Sequence, residues 1–318
     1  MSHLHDARGD AHFARVRVAL GVFLFVHFLH LLPWAPELFS NIGMLADGSA
    51  SPLLHLFANP LALFDGPLFA QCFVASGALA SLVLVFGNGP RKRIAALYLW
   101  FVLACLFGRN PLIRNPSLPY LGVLLLVYAA SPKRPDVSLL RVVWVLLALG
   151  YAYSGITKLT SPSWLDGSAI TAILNNPLAR PGVAHDFLLA LPSGFLVAAS
   201  FGTLFLEISF PLLALSKRTR PLAWLAMTAL QLSLLVLVDF ADVTWGMLLV
   251  HAFTFDPRWL KRLLSSSSAN PDHCHDGPHG RGRLYGAVRR NSHGVHPSGA
   301  HWAMACHTLF SRWRKHQT

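Results

Sequence analysis

Seven polar side chains that can exchange protons or form hydrogen bonds lie inside strongly apolar runs of this 318-residue chain. They are His27, His30, Gln71, Lys158, Glu207, Gln231 and His251. A polar group in an apolar segment costs free energy unless it has a partner or a function. Each one is therefore a candidate for chemistry, and the alternative in each case is a structural hydrogen bond between helices.

Lys158 is the strongest candidate, because the residues before it repeat at helical spacing. Tyr151, Ser154 and Gly155 precede it at intervals that place all four residues on one face of a helix. Burial disfavours an ammonium ion, so a lysine in this position could act as a neutral base. The alternative is a lysine that anchors the helix end by extending to the aqueous boundary. The sequence leaves both interpretations open.

Glu207, in the run GTLFLEISFP, is the second candidate, because a buried carboxylate needs a proton or a cation. Lys158 or an intramembrane histidine could supply that partner. A contact that only holds helices together is the alternative for Glu207 and for His251. His27 and His30 lie three residues apart on one helix face and could ligate haem or a metal ion. No matching pair of ligands stands out in the other apolar runs, so we predict no metal site.

The elements that must position these side chains are membrane helices. Hydrophobic residues make up 54% of the chain and charged residues only 13%. The charged fraction is about half of the roughly 25% typical of soluble domains, which excludes an ordinary water-soluble enzyme. A helix needs about 20 apolar residues to cross a bilayer. On that criterion we predict an all-helical protein with eight spans, at about 17–33, 67–87, 94–108, 118–131, 141–157, 194–215, 222–238 and 243–257.

Basic residues give the predicted orientation. The net charge of +12 comes from short basic clusters between apolar runs, which indicates topological signals rather than a nucleic-acid surface. Eight crossings place the clusters at 91–93, 133–134, 217–220 and 258–262 on the side of the N-terminus. We therefore predict that both termini are cytoplasmic, in the plasma membrane if the source is prokaryotic. The first apolar run lacks a small-residue cleavage site, so we expect no cleaved signal peptide.

The predicted organisation has three parts: a cytoplasmic segment 1–16, a membrane domain 17–262 and a tail 263–318. Two long connections, 34–66 and 159–193, lie on the outer side, where we expect the working face. Within the first, the short run 52–64 is interrupted by Pro60 and is interpreted as re-entrant or interfacial. The tail holds eight of the 16 histidines and reads as a disordered cytoplasmic segment of biased composition. No CxxC motif occurs, so no redox dithiol is predicted.

Three segments resemble the vitamin K-dependent gamma-carboxylase-like superfamily, also called HTTM, the horizontally transferred transmembrane domain. The segment YSGITKLTSPSWLDGSAI (153–170) is similar to its signature, with Gly155, Lys158-Leu159, Trp164 and Gly167 as the shared pattern. The segments 109–132 and 251–260 are similar to a loop before a span and to the last helix end of that family. The resemblance covers about residues 11–262.

The resemblance implies a role for Lys158. In the carboxylase, the lysine at this position is the base that deprotonates reduced vitamin K. Oxygen addition then gives a strongly basic alkoxide, which takes a proton from a peptide glutamate, and the carbanion captures carbon dioxide. Reduced vitamin K or another quinone is therefore the cofactor that the resemblance implies. The carboxylase has a large soluble region that binds its protein substrate, and this chain has only a low-complexity tail there, so we do not expect docking of a propeptide.

The prediction combines both lines of reasoning. Lys158 is the expected base, acting on a quinone or lipid-like substrate at the outer face, with Glu207 and His251 as further catalytic candidates. The expected pocket residues are Tyr151, Ser154, Gly155 and Trp164. The expected partners are the bilayer and a hydrophobic small molecule, and the oligomeric state is not predicted. The alternative is a transporter, a lipid-handling protein or a structural membrane subunit without catalysis.

Overall fold

Eight long helices follow one another along the chain, one at each predicted span. They are α1 (Ser2–Leu31), α2 (Pro67–Phe86), α3 (Gly89–Arg109), α4 (Leu118–Ala130), α5 (Val137–Lys158), α6 (Ser193–Leu215), α7 (Arg220–Leu237) and α8 (Ala241–Thr254). The computed structural model describes residues 2–113, 115–131, 136–239 and 241–259, without the side chains of 2–9 and 241. Within those ranges no strand occurs, apart from an isolated bridge between Ala179 and Val238. The prediction of an all-helical protein is confirmed for these described residues.

Five of these helices are long and apolar enough to cross a membrane: α1, α2, α5, α6 and α7. The other three helices do not meet this criterion of length and hydropathy, and their sequences show why. α3 begins with the basic cluster Arg91-Lys92-Arg93, which lowers its hydropathy. α4 and α8 have 13 and 14 residues, and a helix of that length rises only about 20 Å, against roughly 30 Å of hydrocarbon. The eight crossings and the cytoplasmic termini therefore stay predictions.

Local sequence explains where the helices begin. Proline occupies the first or second position of α2, α3, α4 and α7. The N–H of a residue there makes no hydrogen bond within the helix, so proline, which lacks it, is tolerated. α1 begins at Ser2, well before the predicted span, so the expected N-terminal segment 1–16 belongs to this helix from its second residue onward. The predicted tail 263–318 lies outside the described residues.

Apolar side chains cover both the inside and the outside of the bundle. Leu20, Leu24 and Phe28 of α1 are fully buried at a spacing of four residues, and the Phe28 ring packs against Gly77 of α2. On the outside, Val26 of α1 is 58% exposed and Phe205 of α6 is 73% exposed. Large exposed apolar side chains on long helices suit a lipid environment rather than water.

The two long connections contain short helices. The first connection holds Ala35–Phe39 and Pro60–Leu63, the latter capped by the Asn59 side chain. The second holds Pro162–Leu165, Ala169–Leu174 and Val183–Leu189. The run 52–64, predicted to be re-entrant or interfacial, forms turns and the short helix Pro60–Leu63.

Side-chain contacts bring several helix ends to one side of the bundle. Asn110, after α3, donates to the backbone carbonyl of Leu38, after α1, at 2.8 Å. The Tyr120 hydroxyl near the start of α4 lies against Gly150 in the second half of α5. The ends of α1, α3 and α5 therefore lie near the start of α4, and Lys158 ends α5 on this side.

Candidate functional site

Lys158 and Glu207 form an ion pair between α5 and α6. The distance from Lys158 Nζ to Glu207 Oε2 is 2.5 Å, and Nζ also donates to the Ser154 hydroxyl at 2.8 Å. The Glu207 side chain is 7% exposed and that of Lys158 is 21% exposed. The pair is therefore largely shielded from water, and neither charge is isolated. A pair that is neutral overall is far less costly in an apolar setting than a single ion.

Glycine allows the two helices to come close enough for this pair. A Cβ atom at Gly155 would lie 2.7 Å from Ile208 Cγ1, 3.0 Å from the Ile208 backbone nitrogen and 3.2 Å from Glu207 Cβ. Real Cβ atoms do not reach the first of these distances, so α6 packs directly on the backbone of α5 here. Gly155 belongs to the predicted face, and its role is to bring the carboxylate within reach of Lys158.

Pro211 changes the backbone of α6 beside the carboxylate. It lies inside the helix, four residues after Glu207. Proline has no N–H, so the Glu207 carbonyl lacks the donor that position 211 would otherwise supply. The site therefore contains an additional hydrogen-bond acceptor on the same residue that carries the charge. This feature was not predicted, although a proline within an apolar run is a visible signal in the sequence.

The second long connection folds back over Lys158. A turn closed by a hydrogen bond from Ser161 N to the Lys158 carbonyl (3.0 Å) leads into the helix Pro162–Leu165. Lys158 Nζ lies 5.1 Å from the centre of the Trp164 ring, a distance typical of a cation–π contact. Trp164 also lines a cavity of about 280 Å³ together with Ala169, Ile173 and other residues of this connection.

Other contacts fasten this connection to the bundle. Gly167 has a φ of +82°, a left-handed conformation that favours glycine, and a Cβ there would meet Val197 and Phe201 of α6. The Ser200 hydroxyl of α6 accepts from Ile170 N at 3.0 Å. Hydrogen bonds from the Ser168 side chain and backbone hold the pKa of Asp166 below its ordinary value, so this carboxylate stays ionised near neutral pH.

A second polar cluster lies on the same face of α5, two turns before Lys158. The Tyr151 hydroxyl is 2.7 Å from His251 Nε2 and accepts from Gln231 Nε2 at 3.0 Å. The three side chains come from α5, α7 and α8, and all are buried. His251 Nδ1 is buried and has no hydrogen-bond partner among the described residues. Trp224 Nε1 donates to the His251 carbonyl at 2.9 Å and fixes the backbone of this cluster.

The structure thus brings most of the sequence candidates together and separates two of them. One face of α5 carries Tyr151, Ser154, Gly155 and Lys158, as their spacing indicates. On this face Glu207 contacts Lys158, and His251 contacts Tyr151. Lys158 bonds inward to a carboxylate, so it is neither a lone amine nor a lysine extended into water. His27 and His30 of α1 line a different cavity, near Asp242 of α8.

Comparisons of this chain with protein-family models, with curated proteins and with solved structures gave no match. The resemblance of its motifs to the HTTM family therefore stays a prediction from the sequence.

Proposed function

We propose that this chain is an integral membrane protein of the vitamin K-dependent gamma-carboxylase-like type, with eight crossings and both termini in the cytoplasm. Five long apolar helices, three further helices at the predicted positions and the exposed apolar side chains support this arrangement. The segregation of the basic clusters supports the orientation. With this orientation, Lys158 lies at the outer face of the membrane.

The proposed activity is proton abstraction from a quinol or lipid-like substrate by Lys158. The observation that carries it is the 2.5 Å contact between Lys158 Nζ and Glu207 Oε2. In apolar surroundings the proton of this pair can lie on either partner, because a neutral amine beside a neutral acid avoids two buried charges. When Glu207 holds the proton, the Lys158 amine is free to accept one from a substrate hydroxyl. Glu207 is therefore part of the base in this proposal.

Trp164 is the proposed platform for the substrate ring. It faces the Lys158 ammonium on one side and lines the cavity of about 280 Å³. Ligand pockets usually measure about 300–1,000 Å³, so this cavity suits a single ring system whose apolar chain extends into the bilayer. Reduced vitamin K or another quinol has this shape, and it would supply the acidic hydroxyl.

The experiment is an epoxidation assay on purified protein in lipid nanodiscs, with vitamin K hydroquinone and oxygen supplied. We expect epoxide from the wild type and none from Lys158→Ala or Lys158→Arg, because arginine keeps the charge but does not act as a base. Glu207→Gln should lose most of the activity while binding of the quinol is retained. The matched control is Lys217→Ala, which removes an exposed lysine just after the end of α6, ten residues beyond Glu207. Absence of epoxide from wild-type protein would remove this chemistry from the proposal.

A proton-coupled transporter is the second candidate, and the cluster around Tyr151 favours it. Gln231, Tyr151 and His251 form a hydrogen-bonded chain, and Tyr151 lies on the helix face that also carries Lys158. Such a series of polar groups inside a bundle is typical of proton pathways. In proteoliposomes with an internal pH dye, wild-type protein should then move protons and Tyr151→Phe should not. If a Lys158→Met, Glu207→Gln double variant retains every measured activity, the pair is structural.

A further inference from the structure

A second cavity, of about 390 Å³, lies between the ends of α1 and α3 and the starts of α4 and α8. Its polar lining includes His27, His30 and Asp242, and most of the remaining wall is apolar. We propose that this cavity binds a small neutral molecule with a ring-sized apolar body and a hydroxyl group, and that the hydroxyl donates to His27. This proposal does not depend on the function of Lys158.

The first argument is the orientation of His27. Its Nδ1 lies 2.9 Å from Asp242 Oδ2, and a carboxylate can only accept a hydrogen bond. Nδ1 therefore carries a proton, and in the neutral tautomer that this contact selects, Nε2 is an acceptor. Among the described residues Nε2 makes no hydrogen bond. The ring is 6% exposed and is held by stacking on Phe23, at 5.9 Å, and by an edge contact with Phe28, at 5.8 Å.

The second argument is that the two asparagines of the wall are already engaged in hydrogen bonds. Asn110 donates to the Leu38 carbonyl at 2.8 Å and accepts from Leu112 N at 2.9 Å. The Asn115 side chain accepts from the amide and the hydroxyl of Ser117. These asparagines hold the wall in shape, so the two histidines and the second carboxylate oxygen of Asp242 are the groups left to meet a ligand. Among them the ring of His27 is the one that packing and a hydrogen bond hold in a fixed orientation.

The third argument concerns the class of ligand. The volume lies within the range of about 300–1,000 Å³ usual for small-molecule pockets. Within the described residues no group of three or more His, Cys, Asp or Glu side chains is arranged to hold a metal ion. The carboxylate of Asp242 repels an anion. A mainly apolar wall offers too few hydrogen bonds to offset the removal of water from a sugar. A phenol-like molecule satisfies all of these conditions.

The test uses a matched pair of probes, 4-fluorophenol and 4-fluoroanisole, which differ in the hydroxyl donor. Binding to the full-length protein in nanodiscs is followed by fluorine NMR, with empty nanodiscs measured to subtract partition into lipid. We expect saturable binding of the phenol, about tenfold tighter than that of the anisole, which corresponds to one hydrogen bond. This comparison needs no variant. Equal affinities, or no saturable binding of the phenol, would overturn the proposal.

Two variants locate the donor–acceptor contact. His27→Phe keeps an aromatic ring and should abolish the preference for the phenol. Asp242→Asn can donate to Nδ1, which moves the ring proton to Nε2 and should shift the preference towards the anisole. The control is Asp239→Asn, since Asp239 is a 75% exposed carboxylate three residues away that pairs with Arg180. It should leave both affinities unchanged. An unchanged preference for the phenol in folded His27→Phe would place the binding elsewhere and contradict the proposal.

Discussion

Arg109 and Lys158 are both basic residues that end a long helix, but their surroundings differ in kind. The Arg109 side chain is 1% exposed and donates to the backbone carbonyls of Leu45 at 2.9 Å, Ser40 at 3.1 Å and Ala46 at 3.5 Å. Lys158 is 21% exposed and bonds to a carboxylate and a hydroxyl. One cation is thus surrounded by backbone carbonyls and the other by a carboxylate and a hydroxyl of side chains.

This difference distinguishes a structural role for Arg109 from the chemical role proposed for Lys158. A guanidinium keeps its proton in proteins, and three carbonyls of one connection cannot accept that proton. Arg109 therefore fixes the shape of the connection 34–66, and its contacts indicate no further role. Lysine loses its proton more readily, and the Glu207 carboxylate beside it can hold the proton instead. Burial of a cation is therefore not by itself a sign of function, whereas the kind of partner is.

The largest expected effect is that of Arg109→Met. The carbonyls of Ser40, Leu45 and Ala46 would lose their donor inside the protein, at a cost of about 4–6 kcal/mol in the free energy of unfolding. Unfolding by SDS in mixed micelles measures this change. Arg91→Met, at an exposed position of the same helix, is the control and should change the free energy by less than about 0.5 kcal/mol. Equal stability of Arg109→Met and wild type would show that Arg109 does not hold the connection.

A smaller effect is expected for Glu207→Leu, which leaves the Lys158 ammonium without its carboxylate. Because Lys158 is partly exposed, we expect a loss of about 2–3 kcal/mol, below the 3–5 kcal/mol typical of fully buried pairs. The double variant Lys158→Met, Glu207→Leu should recover most of this loss, since it removes both charges. The same SDS titration gives the coupling energy of the pair. If the effects of Glu207→Leu and Lys158→Met alone add up to that of the double variant, the ion pair does not contribute to stability.

Gly155→Ala should destabilise the protein by about 1–2 kcal/mol, because overpacking forces two helices apart. The added Cβ would meet Ile208 and Glu207, so the contact between Lys158 and Glu207 should lengthen as well. Gly202→Ala in α6 is a matched control, as nothing lies within 4 Å of its Cβ position. That variant should be neutral or slightly stabilising, because alanine favours helix. If Gly155→Ala and Gly202→Ala change the free energy of unfolding equally, the close approach of α5 and α6 at Gly155 is not required.

The smallest effect concerns His185, a third basic side chain, on the connection that carries Trp164. Its Nδ1 faces Asp186 at 3.0 Å and its Nε2 faces the Leu174 carbonyl at 2.9 Å, which raises the pKa of the imidazole. The charged ring therefore stabilises the fold below its ordinary pKa of about 6.5, and this contribution disappears as pH rises through the raised pKa. The melting temperature of wild type should fall relative to His185→Gln between pH 6 and pH 9. A constant difference across that range would contradict the assignment.

The helices were largely predictable, and their exceptions have a physical reason. The span predicted at 67–87 is the helix Pro67–Phe86, because proline and glycine mark both of its ends. The first helix extends far beyond its predicted start, because hydropathy measures affinity for lipid and not helix propensity. Residues 2–16 are too polar for a membrane span but still suit a helix.

The pairings were less predictable, since they join distant parts of the chain. Lys158 and Glu207 were each identified as costly polar groups, and their pairing was one of several options, because 49 residues separate them. The contact between Asp242 and His27, which are 215 residues apart, has no local signal in the sequence. Spacing reveals which residues share a helix face, but only packing reveals which faces meet.

The proline in α6 has a mechanical consequence for the ion pair. Because Pro211 donates no hydrogen bond to the Glu207 carbonyl, bending of the helix at this turn breaks one contact fewer than bending elsewhere. The segment of α6 before residue 211, which carries Glu207, can therefore tilt about a hinge that lies one turn from the carboxylate. A tilt of that segment towards or away from α5 changes the distance between Glu207 and Lys158 without unwinding either helix.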